Sequence, residues 1–264
     1  MVAFAPMSHL DFRMLARATE AACDRARAEI LPRFRKVSVE TKADGSPVTE
    51  ADRAAEEVLR AELRRALPEA AILGEEFGAE GPDDAGLRWV IDPIDGTIAF
   101  SRGIPLFGTL VALLDEGEPV LGVIDCCAIG ERTVGWKGGG CFRNGTRVAA
   151  SKAAGLRDSL VSHGDLFCFD RAGKREVFER MAREIPKLRG YTDAFGHAMV
   201  CAGAIDAMVD LDLNPWDMAA TRILVTEAGG RCVVTPRQEN GKAGIVFGAP
   251  ALVSTLAAWL GVAR

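Results

Sequence analysis

The chain has 264 residues, 48% of them apolar and 26% charged, enough to bury a sizeable core and ordinary for a globular protein. Its formal net charge is −5, and its Lys and Arg are scattered among acids; this argues against nucleic acid as the main partner, because binding a phosphate backbone needs clustered positive charge. No window approaches the roughly 20 apolar residues of a membrane span and no basic-then-apolar leader is present, so a soluble cytoplasmic protein is expected.

Ser8-His9-Leu10-Asp11 reads as a capped helix start, and Leu10, Met14, Leu15, Ala18, Ala22, Ala26 and Ile30 recur at helical spacing up to Pro32. A second helix is predicted over 50–67, before Pro68. Residues 70–73 form a short apolar strand ending at Gly74-Glu75-Glu76, and 78–86 a polar loop. Trp89-Val90-Ile91 is a buried strand that stops at Asp92-Pro93. Strands at 106–114 and 120–124 flank a turn, and 133–136 and 140–142 continue a meander that turns at Asn144-Gly145. The second half changes character. Helices are predicted near 174–184, 195–202, 218–228 and 250–260, with a strand at 207–210 leading into Asn214-Pro215-Trp216-Asp217. A soft boundary near Ala150 divides an N-terminal α+β part (1–150) from a C-terminal α/β part (151–264). The seven cysteines, at 23, 126, 127, 141, 168, 201 and 232, include no C-x-x-C pair and are read as reduced buried thiols.

The richest local signal is Asp92-Pro93-Ile94-Asp95-Gly96-Thr97. Two carboxylates stand where a buried strand opens into a loop, and Gly96 lets the backbone turn sharply or approach a ligand closely. Asp92 and Asp95, with the Ile94 carbonyl, can converge on a hard cation such as magnesium; the plainer reading is a turn. Glu75 and Glu76 follow buried residues, where acids are costly unless paired or metal-bound. Asp217 is a ligand candidate or a plain helix cap. The segment 44–52 looks like a helix start that also offers Asp52. An aspartyl-phosphate mechanism of the haloacid-dehalogenase kind needs a second Asp two residues after the first, and Ile94 stands there. No G-x-S-x-G and no P-loop is present. Three histidines are too few for a histidine-rich metal site; His9 reads as an exposed helix start and His197 as structural.

Taken in order, Lys42-x-Asp44-Gly45-Ser46-Pro47-Val48-Thr49-x-Ala51-Asp52, Gly74-Glu75-Glu76, the 89–97 segment, Pro215-Trp216-Asp217-Met218-Ala219-Ala220 and Glu227-Ala228-Gly229-Gly230 resemble the inositol monophosphatase-like superfamily of metal-dependent, lithium-sensitive phosphatases. The resemblance implies a layered α/β fold, an αβαβα five-layer sandwich with most metal ligands in the first part and the substrate pocket completed by the second. It implies Glu75, Asp92, Asp95 and Asp217 as ligands of two or three Mg2+ ions, with Mn2+ as a substitute and the Ile94 carbonyl and Thr97 assisting. Asp52 and Thr97, with Glu75, would activate the attacking water. Asp95, Gly96 and Thr97 would hold the phosphate. Relatives of this kind are commonly homodimers.

For the substrate, the strands at 106–114 and 119–125 look most like the histidinol-phosphate phosphatase branch, which would place the enzyme in histidine biosynthesis. Asp193 and Asp210, with Asp217, are the expected substrate contacts, because a carboxylate facing the ammonium of histidinol phosphate selects against neutral polyols. Asp193 could instead be a helix cap, and Asp210 could equally bond sugar hydroxyls. Inositol 1-phosphate or a broad range of sugar phosphates is the alternative. Nucleotide 3′-phosphates and fructose bisphosphate are set aside, since no basic cluster for a second phosphate is visible. A non-catalytic protein that binds a phosphate ligand is the reading from another class; against it, none of the expected catalytic acids is missing.

Overall fold

A computed structural model describes residues 10–36, 38–42, 47–82 and 84–262. Helix α1 (Phe12–Arg33) is capped by Asp11, whose carboxylate accepts the Met14 N–H at 3.0 Å. Asp11 is therefore the cap itself, not the third residue of a turn begun by Ser8; Ser8 and His9 lie outside the described residues. A short hairpin, β1 (Val39–Thr41) and β2 (Pro47–Thr49), leads into α2 (Glu50–Ala66). Asp44, Gly45 and Ser46, quoted for the resemblance, lie outside the described residues. The two helices bury Leu15, Cys23, Ile30, Leu59 and Leu63 against Trp89, Ile91 and Val111 of the first sheet.

That sheet has eight strands: β3 (Ala71–Gly74), β4 (Gly78–Glu80), β5 (Leu87–Asp95), β6 (Gly108–Asp115), β7 (Glu118–Cys126), β8 (Glu131–Trp136), β9 (Gly140–Arg143) and β10 (Thr146–Val148), in the order β10-β9-β8-β7-β6-β5-β3-β4. Only the β3–β5 pair is parallel. A short helix, α3 (Thr97–Ser101), follows β5. The sheet's other face packs on α6 (Asp193–Cys201) and α7 (Pro215–Glu227), where Val90, Leu110 and Ile124 meet Ala194, Ala220 and Leu224.

The same two helices cover a second, five-stranded sheet of β11 (Leu160–His163), β12 (Lys187–Arg189), β13 (Ala207–Leu213), β14 (Arg231–Val234) and β15 (Ala243–Gly248), ordered β12-β11-β13-β15-β14. Met208, Ile245 and Phe247 face α6 and α7. Val161, Val209, Leu211 and Val246 face the opposite way, toward α4 (Leu166–Arg171), α5 (Arg175–Glu184) and α8 (Pro250–Trp259). Three apolar clusters, the middle one filling both faces of the α6–α7 layer, thus join five layers, αβαβα, as the resemblance implied.

The departures from expectation are local. β4 lies inside the stretch read as a polar loop, and β10, β11, β12, β14, β15 and α4 were not read at all. All seven cysteines are free, but Cys168 and Cys232 are only half-buried, not fully buried as expected. No described helix is long and apolar enough to cross a membrane.

One buried charge fastens the first helical layer to its sheet. Asp125 of β7 is 1% exposed and takes Arg27 of α1 at 2.7 Å and Arg132 of β8 at 3.1 Å. Removing the carboxylate takes from Arg27 its anion and leaves Arg132, among the described residues, with only the exposed Asp24, at 2.7 Å. Asp125→Ala should cost about 3 kcal/mol in urea unfolding; a loss below about 1 kcal/mol, the range of exposed pairs, would show the clamp to be incidental.

Candidate active site

The end of β5 is bulged: Asp92 pairs with Leu110 and Asp95 with Gly108, so the ladder slips between them. Val90 faces the middle helices, and Asp92 follows it two residues on, as strand alternation requires. Asp92 is 2% exposed, and its Oδ1 accepts the Ile94 N–H at 3.0 Å. Gly96 then turns the chain at φ 93°. A Cβ there would sit 3.1 Å from the Leu106 carbonyl oxygen and 3.3 Å from Phe107 Cα, so both the conformation and the space call for glycine. The first N–H groups of α3, which begins at the next residue, have no side-chain cap.

Two further acids arrive at helix N-termini. Asp217 is the third residue of α7, and its Oδ2 accepts the Asn214 N–H at 2.7 Å. Asp52 is the third residue of α2; its Oδ2 accepts the Thr49 N–H at 2.8 Å and the Thr49 hydroxyl at 2.6 Å. Each carboxylate therefore caps its own helix with one oxygen. The second oxygen of Asp52 stands 3.5 Å from the Thr97 hydroxyl, at the limit of a hydrogen bond. The Thr97 hydroxyl also donates to the Ile94 carbonyl, at 3.1 Å. The cap reading and the site reading of Asp217 and Asp52 are compatible, because a carboxylate has two oxygens.

These elements enclose a cleft of about 250 Å³ lined by Glu75, Asp92, Ile94, Asp95, Gly96, Thr97, Asp193, Asp210 and Asp217. Of the acids picked out in the sequence, Glu76 and Asp52 are not in the lining; Asp52 is 1% exposed and meets the cleft through Thr97. A larger groove of about 520 Å³ beside β7 and α7 has no such convergence of acids, and its Arg222 is paired with Glu118 at 2.8 Å.

The cleft is crowded with negative charge. Asp92 is held well above the usual carboxylate range by burial and then by Glu75, Asp95 and Asp217. Asp95 is likewise raised by burial and by Asp193, Asp217 and Asp210, and it accepts no hydrogen bond among the described residues. Asp217 is pushed up to about 8 by burial, with Glu75 and Asp210 adding to it. Asp95 and Asp217 sit deep, yet their carboxylates keep some contact with solvent in the cleft. Glu75 and Glu76 are paired: Lys42 Nζ lies 2.7 Å from an oxygen of each. Burial still raises Glu76 to about 7 against the pull of Lys42. As they stand, no three His, Cys, Asp or Glu side chains among the described residues are gathered closely enough to hold a metal ion.

On the side of the second sheet, Asp193 is the first residue of α6 with a left-handed φ of 54°, a backbone seldom adopted outside glycine except where the surroundings enforce it. Thr192, not Asp193, is the cap residue, and its hydroxyl donates to Asp193 Oδ2 at 2.9 Å. Asp210 is 5% exposed. His197 Nε2 lies 3.1 Å from its Oδ2, and His197 Nδ1 lies 2.7 Å from the Thr221 hydroxyl. A carboxylate only accepts, so Nε2 carries the proton, and a neutral ring takes the Thr221 proton at Nδ1. His197, read as structural, is buried and also lines the cleft. A Cβ on Gly164 would stand 1.9 Å from Asp210 Oδ1, so glycine leaves room for this acid. Arg171, Lys242, Asp165 and Cys168 also line the cleft and had not been singled out.

A profile of the inositol monophosphatase family matches residues 11–258. The chain belongs to the inositol monophosphatase family. A histidinol-phosphatase of Streptomyces coelicolor is 38% identical over 225 residues, 81% of this chain and 84% of that protein. A protein of Thermotoga maritima named fructose-1,6-bisphosphatase/inositol-1-monophosphatase is 39% identical over 184 residues, 69% of each chain. Among solved structures, the extragenic suppressor protein suhB of Bartonella henselae superposes with a TM-score of 0.85 at 28% identity, covering 93% of this chain and 98% of that one. This inositol monophosphatase family member is accordingly a phosphomonoesterase.

Gly96→Ala tests the geometry at the strand end. The substitution should lower kcat/KM on any accepted phosphate ester by about a hundredfold, the effect of displacing reacting groups by about an ångström, while the protein stays folded by circular dichroism. Activity within about threefold of the parent would mean that the Gly96 turn does not set the site.

Proposed function

We propose that this phosphatase hydrolyses histidinol phosphate to histidinol and phosphate, using water activated at a Mg2+-loaded carboxylate cleft and no covalent phospho-enzyme. The observation that carries the substrate is the pair Asp193 and Asp210, two acids on the second-sheet side of the cleft, one in a left-handed backbone and one braced by His197. Acids placed there favour an ester bearing an ammonium group over a neutral polyol. The similarity to a histidinol-phosphatase over 81% of the chain points the same way. Inositol 1-phosphate is the second reading, favoured by the same Asp210, whose oxygens accept hydroxyl hydrogens equally well.

The donor chemistry fits magnesium. Glu75, Asp92, Asp95, Asp217 and the Ile94 carbonyl offer oxygen alone, the preference of hard divalent cations. Their mutual repulsion, which raises Asp92, Asp95 and Asp217, is what a cation would relieve. Glu75 must exchange Lys42 for the ion. When bound, two or three such ions supply charge neutralisation and acidify water.

The chain's own residues do the rest. In the proposed mechanism the uncapped N–H groups at the start of α3 receive phosphate oxygens, as helix N-termini do. Thr97 swings its proton from the Ile94 carbonyl toward Asp52 and so presents a lone pair to a water in the cleft; as that water gives a proton to Thr97, the Thr97 proton passes to Asp52, whose proton affinity burial raises. Asp95 and Asp217 bound the phosphate from opposite elements, β5 and α7. Asp193 and Asp210 orient the leaving group.

Phosphate release at saturating Mg2+, measured with histidinol phosphate and inositol 1-phosphate side by side, tests the substrate. The expected outcome is a kcat/KM at least about a hundredfold higher for histidinol phosphate, roughly 3 kcal/mol of discrimination. Equal rates, or a preference for inositol phosphate, would move the assignment to the second reading. For the metal, Mg2+ at about 100 times its Kd should stabilise the fold by about 2.7 kcal/mol per coupled site, read as a rise in Tm. Asp95→Asn should abolish both that rise and turnover while leaving the metal-free Tm unchanged or higher, since one repelling charge is gone. A variant that kept near-parental activity would remove Asp95 from the ligand set.

A further inference from the structure

The cleft contains two cations that the proposed mechanism does not use. Arg171, at the end of α4, and Lys242, just before β15, both line it. Near Asp193 and Asp210 they are a liability, because a free guanidinium would pair with those acids in place of a substrate's ammonium. The structure keeps both occupied. Arg171 Nε lies 2.6 Å from Asp212 Oδ2, and Lys242 Nζ lies 3.7 Å from the same oxygen. Asn240 donates to the other oxygen at 3.2 Å. The Asp212 side chain is 1% exposed while those of Arg171 and Lys242 are 47% and 30% exposed, so one buried carboxylate anchors two cations whose stems reach it from the surface.

The backbone at Asp212 is built for this contact. In a regular strand, residues 210 and 212 would continue side by side on one face. Here the β13–β15 register breaks between Asp210 and Leu213, and Asp212 adopts φ 60°. That left-handed turn takes Asp212 out of the ladder and its carboxylate to Arg171, leaving Asp210 with His197. Asp and Asn adopt this conformation more readily than other non-glycine residues.

We propose that Asp212 is a specificity-positioning residue: by holding Arg171 and Lys242 it leaves Asp193 and Asp210 unpaired by protein cations, and so keeps the cleft selective for phosphate monoesters that carry a positive charge. The choice of histidinol phosphate as the physiological ester rests on the function proposed above; the charge selectivity is a property of the cleft and can be read separately. Without Asp212, the released cations compensate Asp193 and Asp210, and esters with a second anionic group gain.

Steady-state kinetics on the parent protein, Asp212→Asn, Arg171→Gln and the double variant test this, using 2-aminoethyl phosphate, 2-hydroxyethyl phosphate, histidinol phosphate and fructose 1,6-bisphosphate. Asp212→Asn should raise KM for the two aminated esters about tenfold, the order expected for one unit charge at cleft distances. It should leave kcat and the hydroxyethyl ester within about twofold, and lower KM for the bisphosphate. Adding Arg171→Gln should return the aminated esters to within about threefold of the parent. Equal losses on all esters, or a double variant no better than Asp212→Asn, would overturn the proposal. If Asp212→Asn does not fold, Arg171→Gln alone decides: KM for 2-aminoethyl phosphate should fall or hold, and a rise overturns the proposal. A parent enzyme that prefers inositol phosphate to histidinol phosphate refutes the substrate assignment only, since the aminoethyl-to-hydroxyethyl ratio still reports the charge selection.

Discussion

Like charges buried together dominate this molecule. Asp92, Asp95 and Asp217, with Glu75 close by, are brought from β5, β3's end and α7 into one cleft, where burial and mutual repulsion hold the first three above the usual carboxylate range. Such a cluster stays ionised only where something positive answers it. Part of the answer is covalently present. Lys42 bridges Glu75 and Glu76, and the first turns of α2, α3 and α7 point the positive ends of their dipoles at the same space. The remainder is what a divalent ion would supply.

The fold divides each acid's work between its two oxygens. Asp92 fastens the bulge with one oxygen, through the Ile94 N–H, and Asp217 and Asp52 cap helices with one. The attachment fixes direction, so the second oxygen needs no further support to be presented to the cleft or, for Asp52, to Thr97. Asp210 is braced differently, through His197 and Thr221, and Asp193 through a backbone conformation that its own neighbours must maintain. Positioning by local backbone on the first-sheet side and by tertiary contact on the second-sheet side gives one cleft two kinds of wall.

That difference also decides what could be read from the sequence. Asp92, Asp95 and Gly96 were legible because a buried strand, two acids and a glycine fall within eight residues, 89–96. Helix α1 was legible from the spacing of Leu15, Ala22 and Ile30, and α2 from the stop that Pro68 sets. The cap-or-ligand question at Asp52 and Asp217 could not be resolved locally, because one side chain occupies both positions in the geometry. The second sheet was mostly invisible: β15 is buried along its whole length and so shows no alternation, and β11 has only four residues. Arg171, Lys242 and Asp212 meet across three separate segments, with no spacing that could announce them. Lys42 stood within a quoted motif, but that its ammonium would face Glu75 and Glu76 is a matter of where the β1–β2 hairpin folds back.

The middle helices have a consequence for how the chain comes into being. Residues 71–148 supply the whole of the eight-stranded sheet, but α6 and α7, which cover its second face, are encoded some fifty to eighty positions later. During synthesis Val90, Leu110 and Ile124 therefore leave the ribosome well before Ala194, Ala220 and Leu224 exist to cover them. The nascent sheet spends that interval with one apolar face bare, the condition under which chaperones bind and neighbouring chains aggregate. An αβαβα sandwich threaded in this order cannot mature piecemeal: its first half waits on its second, and the cleft between them is the last thing to be made.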